Sequence, residues 1–176
     1  MDQNRRNRIQ QLANAVRGAC KLTTPVDVNV AIERLGGTLV EMSNPEYEAQ
    51  IEKNSDGGFT ITIAIEPHPN RKRFSIAHEI GHLFIHMGYL VDDEKWEQVG
   101  TFVDSVYHRF GHNLEEHEAH EFAASFLMPE GEFLDVTSRQ YKDGYYSIDS
   151  IAEYFKVSID AAKTRGRWLG IFNWSD

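Results

Sequence analysis

Apolar residues near the start of the chain recur every three or four positions, which is the period of an amphipathic helix. This spacing predicts a first helix over residues 7–19. A second, short helix is predicted after the helix-start signal at residues 23–25 and should end at the glycine pair 36–37. The apolar positions of the first helix are Ile9, Leu12, Ala13, Val16 and Ala19.

The pattern then changes to the alternation of a β-strand, in which every second side chain faces the same side. Residues 38–42 and 59–65 fit a strand, and the polar, glycine-containing cluster at residues 54–58 fits a turn leading into the second of them. We therefore expect a small antiparallel sheet.

Helical spacing returns over residues 75–87 and continues in the second half of the chain. Residues 114–127, 130–140 and 147–169 predict a long helix, a further helix and a helical pair, respectively. Residues 92–113 show no consistent period and are interpreted as an irregular or partly helical insert over the candidate site. The order of elements predicts an α+β fold.

Length and composition limit the number of domains and the class of protein. The chain has 176 residues, 41% of them hydrophobic, which suits a single domain with one core. We expect an N-terminal helix in residues 1–24, the main core in residues 25–130 and C-terminal helices in residues 131–176. A net charge of −9 argues against a surface made for nucleic acid, and no stretch resembles a signal peptide or a membrane span. A cytoplasmic protein is expected.

The chain has a single cysteine, Cys20, so a metal site has to be built from histidines and carboxylates. His78, Glu79 and His82 form the pattern H-E-x-x-H within a predicted helix. Residues four apart share a helix face, so both imidazoles can reach one zinc ion, while Glu79 can act as general base on a water molecule. These residues predict a catalytic zinc site.

Catalytic zinc normally has three protein ligands, so a third ligand is expected elsewhere in the chain. On the helix of residues 114–127, Glu116 lies at the edge of the apolar face, and Glu115 and His120 remain alternatives. His120 is otherwise suited to hydrogen-bond a metal ligand or the substrate. Glu118 is rotated further from this face and should be more exposed. Glu115, Glu118 and Glu121 taken singly are interpreted as a solvated acidic face.

Several further residues are candidates for supporting roles around the metal. His86 lies one turn beyond His82 and is expected to give helix-end or substrate-side support, since three histidines on one helix fit a single ion poorly. A donor to the developing oxyanion is also expected. Spacing alone does not choose among its candidates, which are Tyr107, His108, His112 and His120.

Two separated motifs occur in the chain, RFSIAHEIGHLFIH at residues 73–86 and EHEAHEFAASFLMP at residues 116–129. In this order they resemble the ImmA/IrrE family of zinc metallopeptidases, and the resemblance extends over residues 25–130. It implies that the metal is held by His78, His82 and Glu116 and that Glu79 is the catalytic base. The family usually has Asn or Asp four residues after the glutamate ligand, where this chain has His120.

The resemblance also implies a protein substrate, such as a helix-turn-helix repressor encoded beside the peptidase. The helical pair of residues 147–169 itself has a helix-turn-helix pattern, with Lys163, Arg165 and Arg167 near its end. Because the chain is acidic overall, we interpret this pair as packing on the core and expect no direct nucleic-acid binding. The alternative function is a non-catalytic metal-binding module that sequesters a partner protein or contacts DNA.

Overall fold

The computed structural model describes residues 1–43, 48–65, 68–99 and 113–173. These residues form eight helices and two small sheets, which confirms the α+β prediction. The helices are α1 (Gln3–Ala19), α2 (Val28–Arg34), α3 (Pro69–Ile85), α4 (Asp93–Gln98), α5 (Asn113–Leu127), α6 (Glu130–Arg139), α7 (Ile148–Phe155) and α8 (Ile159–Trp168). The strands are β1 (Gly37–Met42), β2 (Ala49–Lys53), β3 (Phe59–Ala64), β4 (Tyr141–Lys142) and β5 (Tyr145–Tyr146).

Capping aspartates and a proline explain where the first three helices begin. Asp2 caps α1, so this helix starts four residues before the predicted position. Asp27 accepts hydrogen bonds from the backbone of Asn29 and Val30, so α2 starts at its own cap rather than at the predicted signal in residues 23–25. α3 starts at Pro69, whose ring suits the first turn of a helix, and not at residue 75.

The larger sheet has the strand order β1-β3-β2. β1 runs parallel to β3, so the antiparallel prediction for the strands at residues 38–42 and 59–65 is wrong. β2, a strand that was not predicted, forms an antiparallel hairpin with β3 around the turn at residues 54–58, and the sheet is therefore mixed. The alternation of apolar residues within a strand shows which side chains face the core, but it does not distinguish parallel from antiparallel pairing.

The core lies between this sheet, α3 and α5. Phe59, Ile61 and Ile63 of β3 are buried beneath α3, which also packs against β2. α5 packs against α3 on one side and α1 on the other. None of the described helices has the length and apolar composition needed to cross a membrane.

α3 and α5 approach each other closely at Gly81. A Cβ atom placed there would lie 3.1 Å from both the Cα and the carbonyl oxygen of Ala119, and 3.2 Å from the Cβ of Phe122. The neighbours include backbone atoms, which have little freedom to move aside. A glycine at this position therefore sets the separation of the two helices.

The C-terminal helices are attached to α5 by a buried ion pair. Arg165 of α8 donates from Nη1 to Oε1 of Glu121 at 3.0 Å and from Nε to the carbonyl oxygen of Met128 at 3.2 Å. Both charged side chains are buried. α8 is thus packed on the same helix that α3 and α1 contact.

We predict that Gly81→Ala lowers the free energy of unfolding by about 1–3 kcal/mol, because the added methyl group overpacks the α3–α5 contact. Gly18→Ala is the matched control, since a Cβ at this helical glycine meets nothing within 4 Å. It should raise stability by up to about 1 kcal/mol. Urea denaturation of both variants measures the difference, and equal effects would contradict the proposed role of Gly81.

Candidate metal centre

The centre begins with two histidines one turn apart on α3. The Nε2 atoms of His78 and His82 lie 3.0 Å from each other, and both residues are buried. α3 can hold them there because it is covered by the sheet and by α5, so that residues 76–84 are all buried. The two nitrogen donors are fixed on the side of α3 that faces α5.

Glu116 brings a carboxylate to these nitrogens from the first turn of α5. Its Oε2 is 3.3 Å from Nε2 of His78, and its Oε1 is 3.3 Å from Nε2 of His82. Two ligands of a tetrahedral zinc ion with bonds of 2.0–2.1 Å are about 3.3 Å apart. The spacing of the three donor groups therefore fits a single metal ion, and the cluster is compatible with a metal site.

The ionisation of Glu116 also suits a metal ligand. Burial alone would raise the pKa of its carboxyl group. Hydrogen bonds and charge attraction from His78 and His82 outweigh burial and hold the pKa of Glu116 well below its ordinary value. The carboxylate is consequently charged at neutral pH, as a ligand must be.

Glu79 follows His78 on α3 and is only 1% exposed. A glutamate on the outer face of an amphipathic helix would be in water, where it contributes little to the fold. Glu79 is instead buried in the same turn of α3 as the candidate ligands. This position is the one that the H-E-x-x-H pattern assigns to a general base.

Two further histidines flank the pair. The ring of His120 lies beside that of His78, with a centroid separation of 4.6 Å, and the residue is open to solvent. His86 lies on the other side, with its Nδ1 2.9 Å from Nδ1 of His82. Burial and the neighbouring His82 lower the pKa of His86 to about 4, against the opposing effect of Glu118.

Residues 32–166 match the family model of peptidase M78, described as the IrrE N-terminal-like domain. The chain belongs to this family. The resemblance found in the two motifs is thereby confirmed. No curated protein matched the chain.

A solved structure with the same overall fold is a Mycobacterium tuberculosis transcriptional regulator. It shares 19% sequence identity with this peptidase M78 family chain, at a TM-score of 0.61. The alignment covers 92% of the present chain and 48% of the regulator, so the chain spans about half the length of that protein. At this identity the likeness is evidence for the fold alone.

The prediction that Glu118 is exposed is wrong. Glu118 is 5% exposed, and Arg5 of α1 holds its carboxylate from two nitrogen atoms. Glu121 is also buried and accepts hydrogen bonds from Gln10 and Arg165. The acidic face of α5 is covered because α1 and α8 pack on it, which the periodicity of α5 alone does not reveal. Glu115 is partly buried.

Three of the candidate support residues, Tyr107, His108 and His112, lie outside the described residues. Their expected part in stabilising the oxyanion stays a prediction. Of the insert predicted over residues 92–113, the described part contains the short helix α4.

We predict that Glu116→Ala sharply reduces the metal content of the protein, because it removes one of three convergent donors. Plasma mass spectrometry after loading with zinc should find about one ion per wild-type chain, as expected for one three-ligand site. Glu115→Ala is the matched control from the same turn of α5 and should keep the wild-type content. A zinc content in Glu116→Ala equal to that of the wild type would show that Glu116 is not the third ligand.

Proposed function

We propose that the chain is a zinc-dependent endopeptidase that cleaves a specific partner protein. The observation that carries this proposal is a buried carboxyl group, Glu79, placed directly beside His78 in a cluster of two imidazoles and a carboxylate. A structural metal site has no need of a general base, whereas hydrolysis of a peptide bond does.

The donor set favours zinc. Two imidazole nitrogens and one carboxylate are a ligand combination that catalytic zinc uses, with a fourth position left for water or substrate. Magnesium and calcium prefer sites made of oxygen atoms alone. In our proposal His78, His82 and Glu116 hold the zinc ion.

When bound, zinc supplies a Lewis acid that polarises the scissile carbonyl group and makes water a better nucleophile. Glu79 takes a proton from the attacking water and later delivers it to the leaving amine. His120 is exposed and its ring lies beside that of His78, so it suits the role of hydrogen-bond donor to the developing oxyanion. Tyr107, His108 and His112 are the other candidates for that donor.

The substrate we propose is a DNA-binding repressor of the helix-turn-helix class, cleaved in the cytoplasm. Such a repressor has a basic surface, and the net charge of −9 on this chain favours its approach. The fold is shared with a protein named as a transcriptional regulator, which agrees with a regulatory setting. Stress-responsive control of transcription is the corresponding biological role.

The alternative is a binding module without catalysis that sequesters a partner or contacts DNA. Its support is the helix-turn-helix pattern of α7 and α8. However, Arg165 of α8 is buried against Glu121, so this guanidinium group is not available to a phosphate. A non-catalytic module would also not need Glu79 as a general base.

We predict that Glu79→Gln retains zinc but cleaves about 10²–10⁴-fold more slowly, because it lacks only the general base. The assay incubates zinc-loaded protein with helix-turn-helix repressors encoded beside it and follows fragments by mass spectrometry. Glu94→Gln is the matched control, since this exposed glutamate of α4 has no part in the site. It should cleave at the wild-type rate.

Undiminished cleavage by Glu79→Gln would remove Glu79 from the mechanism. Stable binding of a repressor by the zinc-loaded wild type, with no fragments, would favour the sequestering module. A mobility shift of operator DNA by the protein alone would favour direct DNA contact.

A further inference from the structure

A continuous line of polar contacts runs from α1 to the candidate metal ligand His82. Arg5 donates from Nε to Oε1 of Glu118 and from Nη2 to Oε2, both at 2.7 Å. Oε2 of Glu118 is 3.3 Å from Nε2 of His86, and Nδ1 of His86 is 2.9 Å from Nδ1 of His82. The remaining ring nitrogen of His82 is the one that faces Glu116.

Hydrogen-bond chemistry allows one arrangement of protons along this line when His82 binds a metal through Nε2. The metal takes the lone pair of that nitrogen, so the proton of the ring is on Nδ1. Nδ1 of His82 then donates to His86, whose own Nδ1 has to be the acceptor. The proton of neutral His86 is consequently on Nε2, where it donates to Glu118. In this arrangement each of the four ring nitrogens of His82 and His86 binds the metal, donates a hydrogen bond or accepts one.

Glu118 is held in place by a two-point ion pair with Arg5. A guanidinium group that binds both oxygens of one carboxylate holds it in a defined orientation. Glu118 is buried and the side chain of His86 is 11% exposed, so water competes little for these hydrogen bonds. Arg5 is supplied by α1, which precedes residues 32–166 matched by the family model.

We propose that Arg5, Glu118 and His86 are positioning residues that fix the tautomer and ring orientation of His82 for metal binding. The inference rests on the proposed metal site and adds three residues to it. A metal-bound histidine normally donates its other N–H to a carboxylate or carbonyl group. In this chain the carboxylate of Glu118 acts on His82 through His86. Arg5 of α1 orients that carboxylate.

The test measures zinc affinity by competition with a chelating dye, independently of any cleavage. His86→Ala should weaken zinc binding by about 10- to 100-fold, the usual effect of losing a hydrogen-bond partner of a ligand. Arg5→Gln should weaken it in the same direction by a smaller factor. Arg6→Gln is the matched control, because Arg6 also forms an α1–α5 ion pair, with Oε2 of Glu121 at 3.4 Å, and the described polar contacts of His86 are with His82 and Glu118. The control should keep the wild-type affinity.

A conservative replacement separates positioning from packing. The amide oxygen of His86→Asn lies close to the place of the ring Nδ1, so it can accept from His82 but cannot reach Glu118. This variant should recover part of the affinity lost in His86→Ala. Histidine NMR of the zinc-loaded wild type gives a reading that requires no variant and should show neutral His86 with its proton on Nε2.

The outcomes separate this inference from the proposed function. One zinc per wild-type chain, with unchanged affinity in His86→Ala, overturns the positioning role and leaves the metal site intact. A proton on Nδ1 of His86 in the zinc-loaded protein overturns it as well. If the wild type binds no zinc at all, both proposals are overturned.

Discussion

The close crossing of α3 and α5 is the constraint on which the candidate site depends. Gly81 lies against the backbone of Ala119, and this contact places the first turn of α5 opposite two successive turns of α3. Glu116 is three residues before Ala119, so the crossing brings its carboxylate to the imidazoles of His78 and His82. A Cβ atom at position 81 would lie 3.1 Å from the backbone of Ala119, so a bulkier residue would require α3 and α5 to shift at the contact that aligns the candidate ligands.

A second feature is the concentration of buried charge on α5. Glu118 is paired with Arg5 of α1, and Glu121 is paired with Arg6 of α1 and Arg165 of α8. Burying a carboxylate in such a pair contributes little net stability, since its desolvation offsets much of the attraction. A packing arrangement that leaves one of these buried charges without its partner is, however, strongly unfavourable. These pairs accordingly determine where the first and last long helices pack on the helix that bears Glu116.

Much of the site was predictable because its signals are local. The positions of His78 and His82 follow from helical periodicity, and Glu79 follows from the same motif. Spacing alone left Glu115, Glu116 and His120 open, and the family resemblance pointed to Glu116, which the structure places against both histidines. The burial of Glu118 was missed because Arg5 is 113 residues away in the sequence. The short strand β2 was missed because only Ala49 and Ile51 give it an apolar face.

The central claim is that two helices assemble His78, His82 and Glu116 into one zinc site. Anomalous diffraction at the zinc edge, from crystals of the zinc-loaded protein, tests it most directly. The account predicts a single peak within about 2.0–2.2 Å of both Nε2 atoms and of a carboxylate oxygen of Glu116. A zinc ion bound elsewhere, or bound by the two histidines with Glu116 turned away, would contradict it.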